Sequence, residues 1–421
     1  EILWNSVVTK IKANDNGVYP PRSNERKLDP TSTYYSVYEK KTLEWIDYTD
    51  LIDWTWNLDA TPQASLIDYL EQTTDLWRLT EYIALNTIIS NWDHVGKNHY
   101  NVRDSVTNRW VQLPWDCDRT LGEYTSPGYR TDQPLDYGRE EVPGPAGMYS
   151  YLHDRYLEEP NLAAFYHRML RRYCCEFFYA DRMHAVVDRL RTQMGNDAQV
   201  DYNLWKDGAS YDDQWTFWRT TNDYVEERRD YILANVSADS LHVQINEFMT
   251  SNTAVYPDEM GEYEDWIELY NPRTTPINLG GYSFSARYSS PTRWQIPPDT
   301  WILAGERIVI FCDGETAEGP LHANFRLEDD GEQIGLFDVD ARGNLPIDWI
   351  AYGRQVQNVS AGRNGDGGCG WVAYATPSPD GPNVVKAVGT PPIFINEWLA
   401  SNRTTNADER GEFDLIFYPS Q

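Results

Sequence analysis

The sequence lacks any apolar run of the roughly 18 to 20 residues that a membrane-spanning helix needs. Its amino terminus shows neither a Met nor a basic segment followed by an apolar one. We therefore expect no membrane span and no leader peptide in the given chain, which should be a mature product or a fragment.

Positively charged side chains are also scarce. The 421 residues include 36 Lys and Arg against 65 Asp and Glu, which gives a formal net charge of -29. A surface of this sign repels the phosphate backbone of nucleic acids, and no local Lys/Arg cluster offsets it. The composition argues against nucleic acid as a partner and makes cations the more natural ligands.

Cysteine is sparse as well, and the spacing of the five cysteines fits neither a metal cluster nor a dense disulfide framework. They are Cys117, Cys174, Cys175, Cys312 and Cys369. Cys312 and Cys369 could form a disulfide within one β domain, and two buried thiols are an equally good interpretation. Tyrosine and tryptophan are abundant, at 29 and 17 residues. With little lysine, this composition suits a secreted acidic protein.

What the sequence does contain is two regions of different periodicity, and its length allows two or three cores. Apolar residues at helical spacing predict a buried helix over about 65–91. Further helices are predicted over about 160–177, 180–195 and 211–235. From residue 241 short alternating runs, separated by Gly, Pro, Asn and Asp, predict an antiparallel β-sandwich.

An internal repeat is visible within the β region. The segment INEFMTSN at 245–252 recurs as INEWLASN at 395–402, and an Asp-led run follows each copy. A repeat unit cannot bury a core from two strands. We therefore expect the second copy, over 393–421, to be cut short at the carboxyl end.

The strongest chemical signal is NWDHVGKNHYNVRDSVTNRWVQLPWDCD at 91–118. Asn98 follows Asp93 after a short loop, and a predicted β-hairpin then leads to Asp116. Hairpin strands of equal length return the chain to its start, so Asp116 should lie close to Asn98. Phosphoryl transfer needs a carboxylate near the attacking hydroxyl and oxygen ligands for metal ions on the phosphates. These three residues supply those groups.

Each of these residues also has a plain structural interpretation, because Asp and Asn are common in turns. Asp93 could cap the preceding helix, and Asn98 could simply start a strand. Asp116 and Asp118 could be solvated turn residues.

The aromatic and histidine neighbours of the segment are also expected to be structural. Trp92 and Trp115 should pack in the core rather than contact a ligand. His94 and His99 could be taken as a zinc pair, but no third His or Cys ligand lies at a useful spacing.

The segment resembles the signature of the spore coat protein H (CotH) family, secreted and surface proteins with an atypical protein-kinase-like fold. The resemblance extends back through YYSVYEKKT and forward to RRDYILANV, so it covers about residues 1–237. It implies that Asp93 is the catalytic Asp, and that Asn98 and Asp116 bind the magnesium ion of MgATP. Asp118 matches the family's second metal-binding Asp. The resemblance further implies a protein substrate phosphorylated on Ser or Thr.

One departure from the family pattern concerns the small lobe that contacts the nucleotide. Kinases carry a Lys on a strand of this lobe, whereas the residues before Asp93 are predicted to form a lobe connection and a helix. The domain over 1–237 should therefore lack most of that lobe, and ATP and Mg²⁺ binding are expected only if the lobe is present. The lysines of this stretch are assigned to no such strand: Lys10, Lys12, Lys40 and Lys41.

Residues 241–388 resemble a lamin-tail domain, an immunoglobulin-like β-sandwich. The resemblance rests on INEFMTSN, DWIELYNP, INLGGYSFS and RWQIPPDTWILAGERIVIFCDG, and INEW at 395 begins another copy. It implies an interaction or anchoring module without chemistry of its own. The residues predicted to face inward by alternation are Trp266, Ile267, Leu269, Ile308, Ile310, Ile334 and Leu336.

Two polar features of this β region are interpreted as structural. Asn246 and Glu247, which recur in the second copy, are expected to tie loops together by hydrogen bonds. The segment DVDARGN at 338–344 alternates carboxylates before a Gly, as calcium loops do. It lacks the later bidentate Glu, and we interpret it as a hairpin turn.

The predicted fold class is multidomain: an α+β atypical kinase-like domain, mostly helical with a β-hairpin, followed by an all-β immunoglobulin-like sandwich. Two functions stay open. One is a CotH-like protein kinase joined to lamin-tail modules. The other is a non-catalytic extracellular structural or adhesive protein that uses a degenerate kinase fold as a scaffold. The missing small lobe and the repeated sandwich favour the scaffold. Asp93, Asn98 and Asp116 together favour the enzyme, because a scaffold does not require three polar groups close to one another.

Overall fold

The computed structural model describes residues 7–11, 23–95, 98–117, 120–122, 131–144, 147–205, 222–288 and 290–385. The chain divides into two compact units, a first unit of residues 1–240 and a second unit of residues 241–421. The predicted second copy of the β domain, over 393–421, lies outside the described residues.

The first unit is mainly helical and contains one small sheet. Its described helices are α1 Tyr34–Val37, α2 Thr49–Ala60, α3 Leu66–Thr73, α4 Leu76–Ile88, α5 Tyr151–Glu158, α6 Pro160–Glu176, α7 Ala180–Trp205 and α8 Asn222–Asn235. Its described strands are β1 Val7–Ile11, β2 Ser23–Asn24, β3 Tyr38–Lys40, β4 His99–Arg103, β5 Trp110–Pro114 and β6 Tyr149–Ser150. Within the described ranges no helix is both long enough and apolar enough to cross a bilayer.

The single helix predicted over 65–91 is in fact two helices, α3 and α4. The backbone of Thr74 is extended, with φ -131° and ψ 144°, and the backbone N–H of Asp75 donates to the carbonyl of Trp110 at 2.9 Å. The Asp75 carboxylate then caps α4 by accepting from the N–H of Arg78 at 3.1 Å. A capping carboxylate satisfies an N–H that the first turn of a helix leaves unpaired, so the break starts α4 in a fixed direction.

The other predicted helices agree better with the structure. The helix expected over 160–177 is α6, and the one expected over 180–195 is α7, which continues to Trp205. Of the helix predicted over 211–235, the part from 222 is helical and the part before it lies outside the described residues.

The sheet of the first unit has the strand order β3-β1-β4-β5, and every neighbouring pair is antiparallel. The hairpin β4–β5 pairs His99 with Pro114 at one end and Arg103 with Trp110 at the other. The residues before Asp93, which are predicted to form a lobe connection and a helix, also contribute the strands β1 and β3 to this same sheet. β1 pairs with β3 and with β4, which is distant in the sequence, and strands of three to five residues show too little alternation to reveal such pairing.

Lys40, which no sequence signal tied to a strand, is the last residue of β3. Its side chain is buried, and Nζ lies 3.1 Å from the Asp50 carboxylate in the first turn of α2. Nζ also donates to the carbonyl of Asp47 and lies 5.4 Å from the ring centroid of Tyr48. A buried ammonium needs such partners, since burial without them is costly. Lys40 thereby anchors the sheet edge to α2.

The second unit is an antiparallel β-sandwich. Its described strands are β7 Gln244–Met249, β8 Trp266–Tyr270, β9 Ile277–Asn278, β10 Ser283–Ser285, β11 Trp294–Gln295, β12 Trp301–Ile302, β13 Arg307–Phe311, β14 Gly331–Phe337, β15 Pro346–Gly353, β16 Ser360–Arg363 and β17 Trp371–Tyr374. They form a sheet of order β11-β10-β14-β15, a sheet of order β13-β8-β7-β16-β17 and the pair β12-β9. The predicted all-β sandwich is confirmed.

The core of the sandwich contains most of the residues predicted to face inward. Ile267 and Leu269 of β8 meet Ile334 and Leu336 of β14 in one buried cluster. Trp266 was expected among them, but it packs in a separate cluster with Met249, Val309 and Phe311. Successive residues of a strand point to opposite faces, so Trp266 cannot share the face of Ile267.

Cys312 is a buried free thiol. The Cys312–Cys369 disulfide is therefore not formed, and the alternative of two buried thiols is also wrong, because Cys369 is exposed. Burial is the main cause that raises the pKa of the Cys312 thiol well above its usual range, so the side chain behaves as a small apolar core residue.

The prediction that Asn246 and Glu247 tie loops together is confirmed. The Asn246 amide donates to Glu268 at 2.8 Å and to Asp366 at 3.0 Å. Glu247 accepts from the hydroxyl of Ser360 and from the hydroxyl of Ser378, the latter at 2.9 Å. Residues from strands β7, β8 and β16 and from the segment after β17 thus share one buried polar network.

The segment 338–344 is the connection between β14 and β15, as the hairpin interpretation expects. Asp338 accepts from the side chain of Arg342 at 2.7 Å, and Gly343 has the positive φ of 79° that closes the turn. The carboxylate of Asp338 is used inside the turn.

Candidate functional site

The loop that carries Asp93 is organised by Asn91. The chain leaves α4 through Ser90, which has a positive φ of 47°. The side-chain oxygen of Asn91 then accepts from the backbone N–H of Asp93 at 3.1 Å, and its amide donates to Asn86 at 2.9 Å. The carbonyl of Asn91 accepts from the imidazole of His94 at 2.7 Å. These bonds fix the direction of the Asp93 backbone.

A buried aromatic cluster holds the same loop from the other side. Trp92, Val95 and Tyr137 pack together, and the Tyr137 hydroxyl donates to the carbonyl of Trp92 at 2.5 Å. The core position predicted for Trp92 is confirmed. Trp115, for which the same was predicted, is instead 51% exposed and lies edge-on to Tyr100, with ring centroids 5.4 Å apart.

Asn98 is the residue that joins the two ends of the motif. It is buried, and its amide nitrogen donates to Oδ2 of Asp93 at 3.1 Å and to the backbone carbonyl of Asp116 at 3.2 Å. Its own carbonyl accepts from the N–H of Trp115 at 3.0 Å. Both partners of the amide nitrogen are acceptors, so the amide orientation is fixed by chemistry. Oδ1 is then the atom of Asn98 that can bind a cation.

Asp116 lies immediately after the hairpin and is exposed. Its φ is positive, at 54°, a conformation that Asp tolerates better than most residues. The positive φ turns the chain away from β5 at the point where the carbonyl of Asp116 meets Asn98. Asp118, the fourth predicted site residue, lies outside the described residues.

The structure therefore brings three of the predicted site residues to one place. A buried carboxylate (Asp93), a buried amide (Asn98) and the exposed Asp116 meet where α4 and the hairpin β4–β5 converge. The end of α4 is closed by the backbone N–H of Asn91, which donates to the carbonyl of Asn86 at 2.9 Å, and the Asp93 carboxylate accepts from Asn98. The arrangement places the Asp93 carboxylate, the Asn98 amide and the backbone carbonyl of Asp116 side by side.

A network of buried polar side chains adjoins the site, and Glu25 lies at its centre. Its carboxylate accepts from His99 at 2.8 Å, from Asn101 at 3.0 Å and from Ser150 at 2.8 Å. Burial by itself would raise the pKa of Glu25, but the charge of His99 and the three hydrogen bonds lower it overall. Glu25 is thus a buried carboxylate stabilised in its ionised form.

The network connects Glu25 to the backbone of the loop that carries Asp93. The other ring nitrogen of His99 contacts the carbonyl of His94 at 3.0 Å, and His94 follows Asp93 directly in the sequence. On the far side the Asn101 oxygen accepts from Gln112 at 3.2 Å. Glu25 therefore holds the imidazole that supports the loop carrying Asp93.

The zinc interpretation of His94 and His99 finds no support in the described part of the chain. Both imidazoles are buried and hydrogen-bonded to protein groups, and burial lowers the pKa of His94 to about 4. The groups of side chains in the described residues that could hold a metal ion include neither histidine.

Replacing Glu25 with Gln is expected to destabilise the first unit by about 1 to 3 kcal/mol, because one acceptor of the charged network is lost. Because the pKa of Glu25 is lowered in the folded unit, its ionised carboxylate stabilises the fold at pH values above 4.5, the ordinary pKa of this side chain. This stability is lost as the pH falls below that value. The variant should therefore lose less stability on acidification than the wild type. Hydrogen exchange of peptides from α4 and the hairpin measures both effects.

The matched control is Glu158→Gln, which removes an exposed carboxylate at the end of α5. Its nearest cation, Arg139, is 3.7 Å away, and exposed pairs contribute little. If the α4 and hairpin peptides were equally protected from hydrogen exchange in the Glu25 and Glu158 variants, the network would not support the loop.

No sequence pattern pointed to Glu25. It lies outside the recognised motif and far from His99 and Ser150 along the chain, and a lone Glu in a polar stretch carries no periodic signal. Only the pairing of β2 with β6 brings it under the hairpin.

Comparison with known protein families gives two matches. A family model described as CotH kinase protein matches residues 7–232, which is more than half of the chain. A model described as Lamin Tail Domain matches residues 236–354. A search among curated proteins finds no match. The two resemblances seen in the sequence are confirmed.

Proposed function

This chain belongs to the CotH kinase protein family, and on that premise we propose that its first unit is an ATP-dependent protein kinase. The proposed substrate is a Ser or Thr hydroxyl of a secreted or surface protein. The observation that carries the proposal is the Asn98 amide, which joins Oδ2 of Asp93 to the backbone of Asp116. The Asp93 carboxylate and the Asn98 side chain, whose oxygen is proposed to bind a cation, are thereby held at neighbouring positions.

Asp93 is proposed as the catalytic base. Its carboxylate would orient the attacking hydroxyl and accept its proton as the bond between that oxygen and the γ-phosphorus forms. The bond from the γ-phosphorus to the bridging oxygen of ADP breaks, and ADP leaves with the electron pair. The hydrogen bond from Asn98 keeps one carboxylate oxygen in place, so little reorganisation is needed.

Asn98 and Asp116 are proposed to hold Mg²⁺, with Asp118 as a further ligand that follows from the family resemblance. Amide and carboxylate oxygens are the ligands that Mg²⁺ prefers. The amide nitrogen of Asn98 donates to Asp93 and to Asp116, so Oδ1 is the atom oriented for a cation. The Asp116 side chain is exposed. The residues therefore fit the ion. When bound, Mg²⁺ would neutralise the charge of the ATP phosphates.

The lamin-tail unit is proposed to anchor the kinase or to bind a protein or matrix partner outside the cell. The acidic composition, with a net charge of -29, supports this location and favours basic partners. A scaffold function without catalysis is the competing proposal, and the following experiment separates the two.

The test is transfer of labelled γ-phosphate from MgATP to the chain itself and to myelin basic protein, a basic substrate rich in hydroxyl residues. We expect Mg²⁺-dependent labelling by the wild type. Asp116→Asn should lower the rate at least about 100-fold, since a charged ligand to the ion is lost while the backbone carbonyl that Asn98 contacts is kept.

The control variant is Asp104→Asn at the opposite end of the same hairpin. There Asp104 accepts from the N–H groups of Val106 and Thr107 at 2.9 and 2.7 Å. This variant should label at the wild-type rate. Absence of labelling by the wild type, or an equal rate in the Asp116 variant, would favour the scaffold.

A further inference from the structure

A second cluster of charged side chains lies in the second unit, and it has a different composition from the kinase site. Asp258 belongs to the connection between β7 and β8, and Asp313, Glu318 and His322 follow β13. Each of the four offers a ligand atom, and these atoms all lie within 4.8 Å of one another. Asp258, Asp313 and His322 are buried.

The two aspartates are oriented in the same way. Oδ1 of Asp258 accepts from the backbone N–H groups of Met260 and Glu262, both at 2.9 Å. Oδ1 of Asp313 accepts from the backbone N–H of Glu315 at 2.7 Å. In each carboxylate one oxygen is thus fixed by a local turn, and Oδ2 is left for another partner.

Oδ2 of Asp258 is buried and has no hydrogen-bond partner among the described residues, although Asp258 is only 8% exposed. The same holds for Oε2 of Glu318, which lies 4.0 Å from Nδ1 of His322. Buried carboxylate oxygens without partners are rare in folded proteins, because their desolvation is costly. Two of them directed at one cluster point to a cation.

His322 is held as metal-binding histidines usually are. Nδ1 faces the cluster and contacts Oδ2 of Asp313, while Nε2 lies 3.1 Å from the carboxylate of Glu259 on the outside. The ring also stacks on Phe311, with centroids 5.2 Å apart. An outer carboxylate that accepts from one ring nitrogen fixes the tautomer, so that the other nitrogen can bind a metal.

A protonated His322 alone does not account for the cluster. An imidazolium has two N–H donors, and Asp313 and Glu259 already use both of them. It has none left for Asp258 or Glu318. The side chain of Arg326 is 60% exposed and contacts Glu264 and Glu315 at 3.8 and 3.4 Å. It therefore does not neutralise the carboxylates of Asp258 and Glu318.

We propose that Asp258, Asp313, Glu318 and His322 form a binding site for a divalent transition-metal cation of the Zn²⁺ type. One imidazole nitrogen with carboxylate oxygens is a donor set that Zn²⁺ accepts. Ca²⁺ and Mg²⁺ take oxygen ligands in larger number. The ion would join the β7–β8 connection to the segment after β13 and neutralise their charge. This site is independent of the proposed kinase function.

The test is a competition titration of the metal-free full-length chain with a chromophoric zinc chelator. We expect one Zn²⁺ bound per second unit. Asp258→Asn and His322→Gln should each weaken the affinity by more than about 100-fold, since each removes a ligand. Zn²⁺ should also raise the melting temperature of the wild type but not that of either variant.

The matched control is Asp340→Asn, an exposed carboxylate in the 338–344 turn of the same unit, which should bind Zn²⁺ like the wild type. Melting curves without metal check that the variants fold. Without metal, Asp258→Asn should be no less stable than the wild type, because the unpartnered charge of Asp258 is removed. The proposal is overturned if Ca²⁺ binds and Zn²⁺ does not, or if either ligand variant keeps the wild-type zinc affinity.

Discussion

Replacing Asp93 with Asn should lower the rate of phosphoryl transfer by about 10²- to 10⁴-fold, the usual contribution of a positioned general base. Asn has the same shape and can still accept from the Asn98 amide, so the loop geometry should persist. It cannot take the proton of the attacking hydroxyl. The measurement is a single-turnover assay with labelled ATP, alongside nucleotide binding followed with a fluorescent ATP analogue.

Nucleotide affinity should stay close to the wild-type value in this variant, because the proposed metal ligands Asn98 and Asp116 are untouched. The double variant Asp93→Asn/Asp116→Asn should be no slower than the worse single variant, since residues that act as a unit do not add. A wild-type rate in Asp93→Asn would remove Asp93 from the chemistry. Loss of nucleotide binding in parallel would assign it a structural role.

The second unit should lose stability as the pH rises from about 4.5 to about 8, and Glu268 is the main cause. Its carboxylate is buried at the centre of the network with Asn246 and accepts from the N–H of Asp380 at 2.7 Å. Burial is the largest influence and, with the charge of Glu247, raises the pKa of Glu268 from 4.5 to about 8. Hydrogen bonds from Asn246 and Asp380 and the nearby Arg307 oppose this shift.

The direction follows from proton binding. Between its unfolded and folded pKa values the Glu268 side chain is protonated in the folded unit and ionised in the unfolded chain, so folding takes up a proton. The free energy of unfolding then falls by up to about 1.4 kcal/mol per pH unit for each such group. Asp265, whose pKa burial raises from 3.8 to about 7, adds an effect of the same sign.

Glu268→Gln is the variant that tests this, because Gln approximates the protonated acid. Its stability should vary less with pH than that of the wild type, as measured by hydrogen exchange of β7 and β8 peptides between about pH 5 and 8.5. The exposed Glu306→Gln should keep the wild-type slope. A variant that tracks the wild type at every pH would show that Glu268 is ionised in the folded unit.

The features that could be predicted from the sequence were those that depend on local patterns of residues. The motif at 91–118, the helical spacing of α6 and the alternation of the β strands each lie within one short stretch of chain. The two family resemblances and the fold class, which rest on such patterns, were confirmed. The break between α3 and α4 was missed, because it depends on a hydrogen bond from Asp75 to Trp110, a distant residue.

The sequence by itself determined which chemical groups are present in one recognisable loop, namely its carboxylates and its amide. It also determined that the chain has two domains of different periodicity. Only the tertiary structure decided which groups meet. Glu25 contacts His99, and Asp258 offers a ligand atom within 4.8 Å of one on His322, and both pairs join segments that lie far apart in the chain. Burial and desolvation act on spatial neighbours, so the charge state and partners of these groups are set by packing and not by sequence spacing.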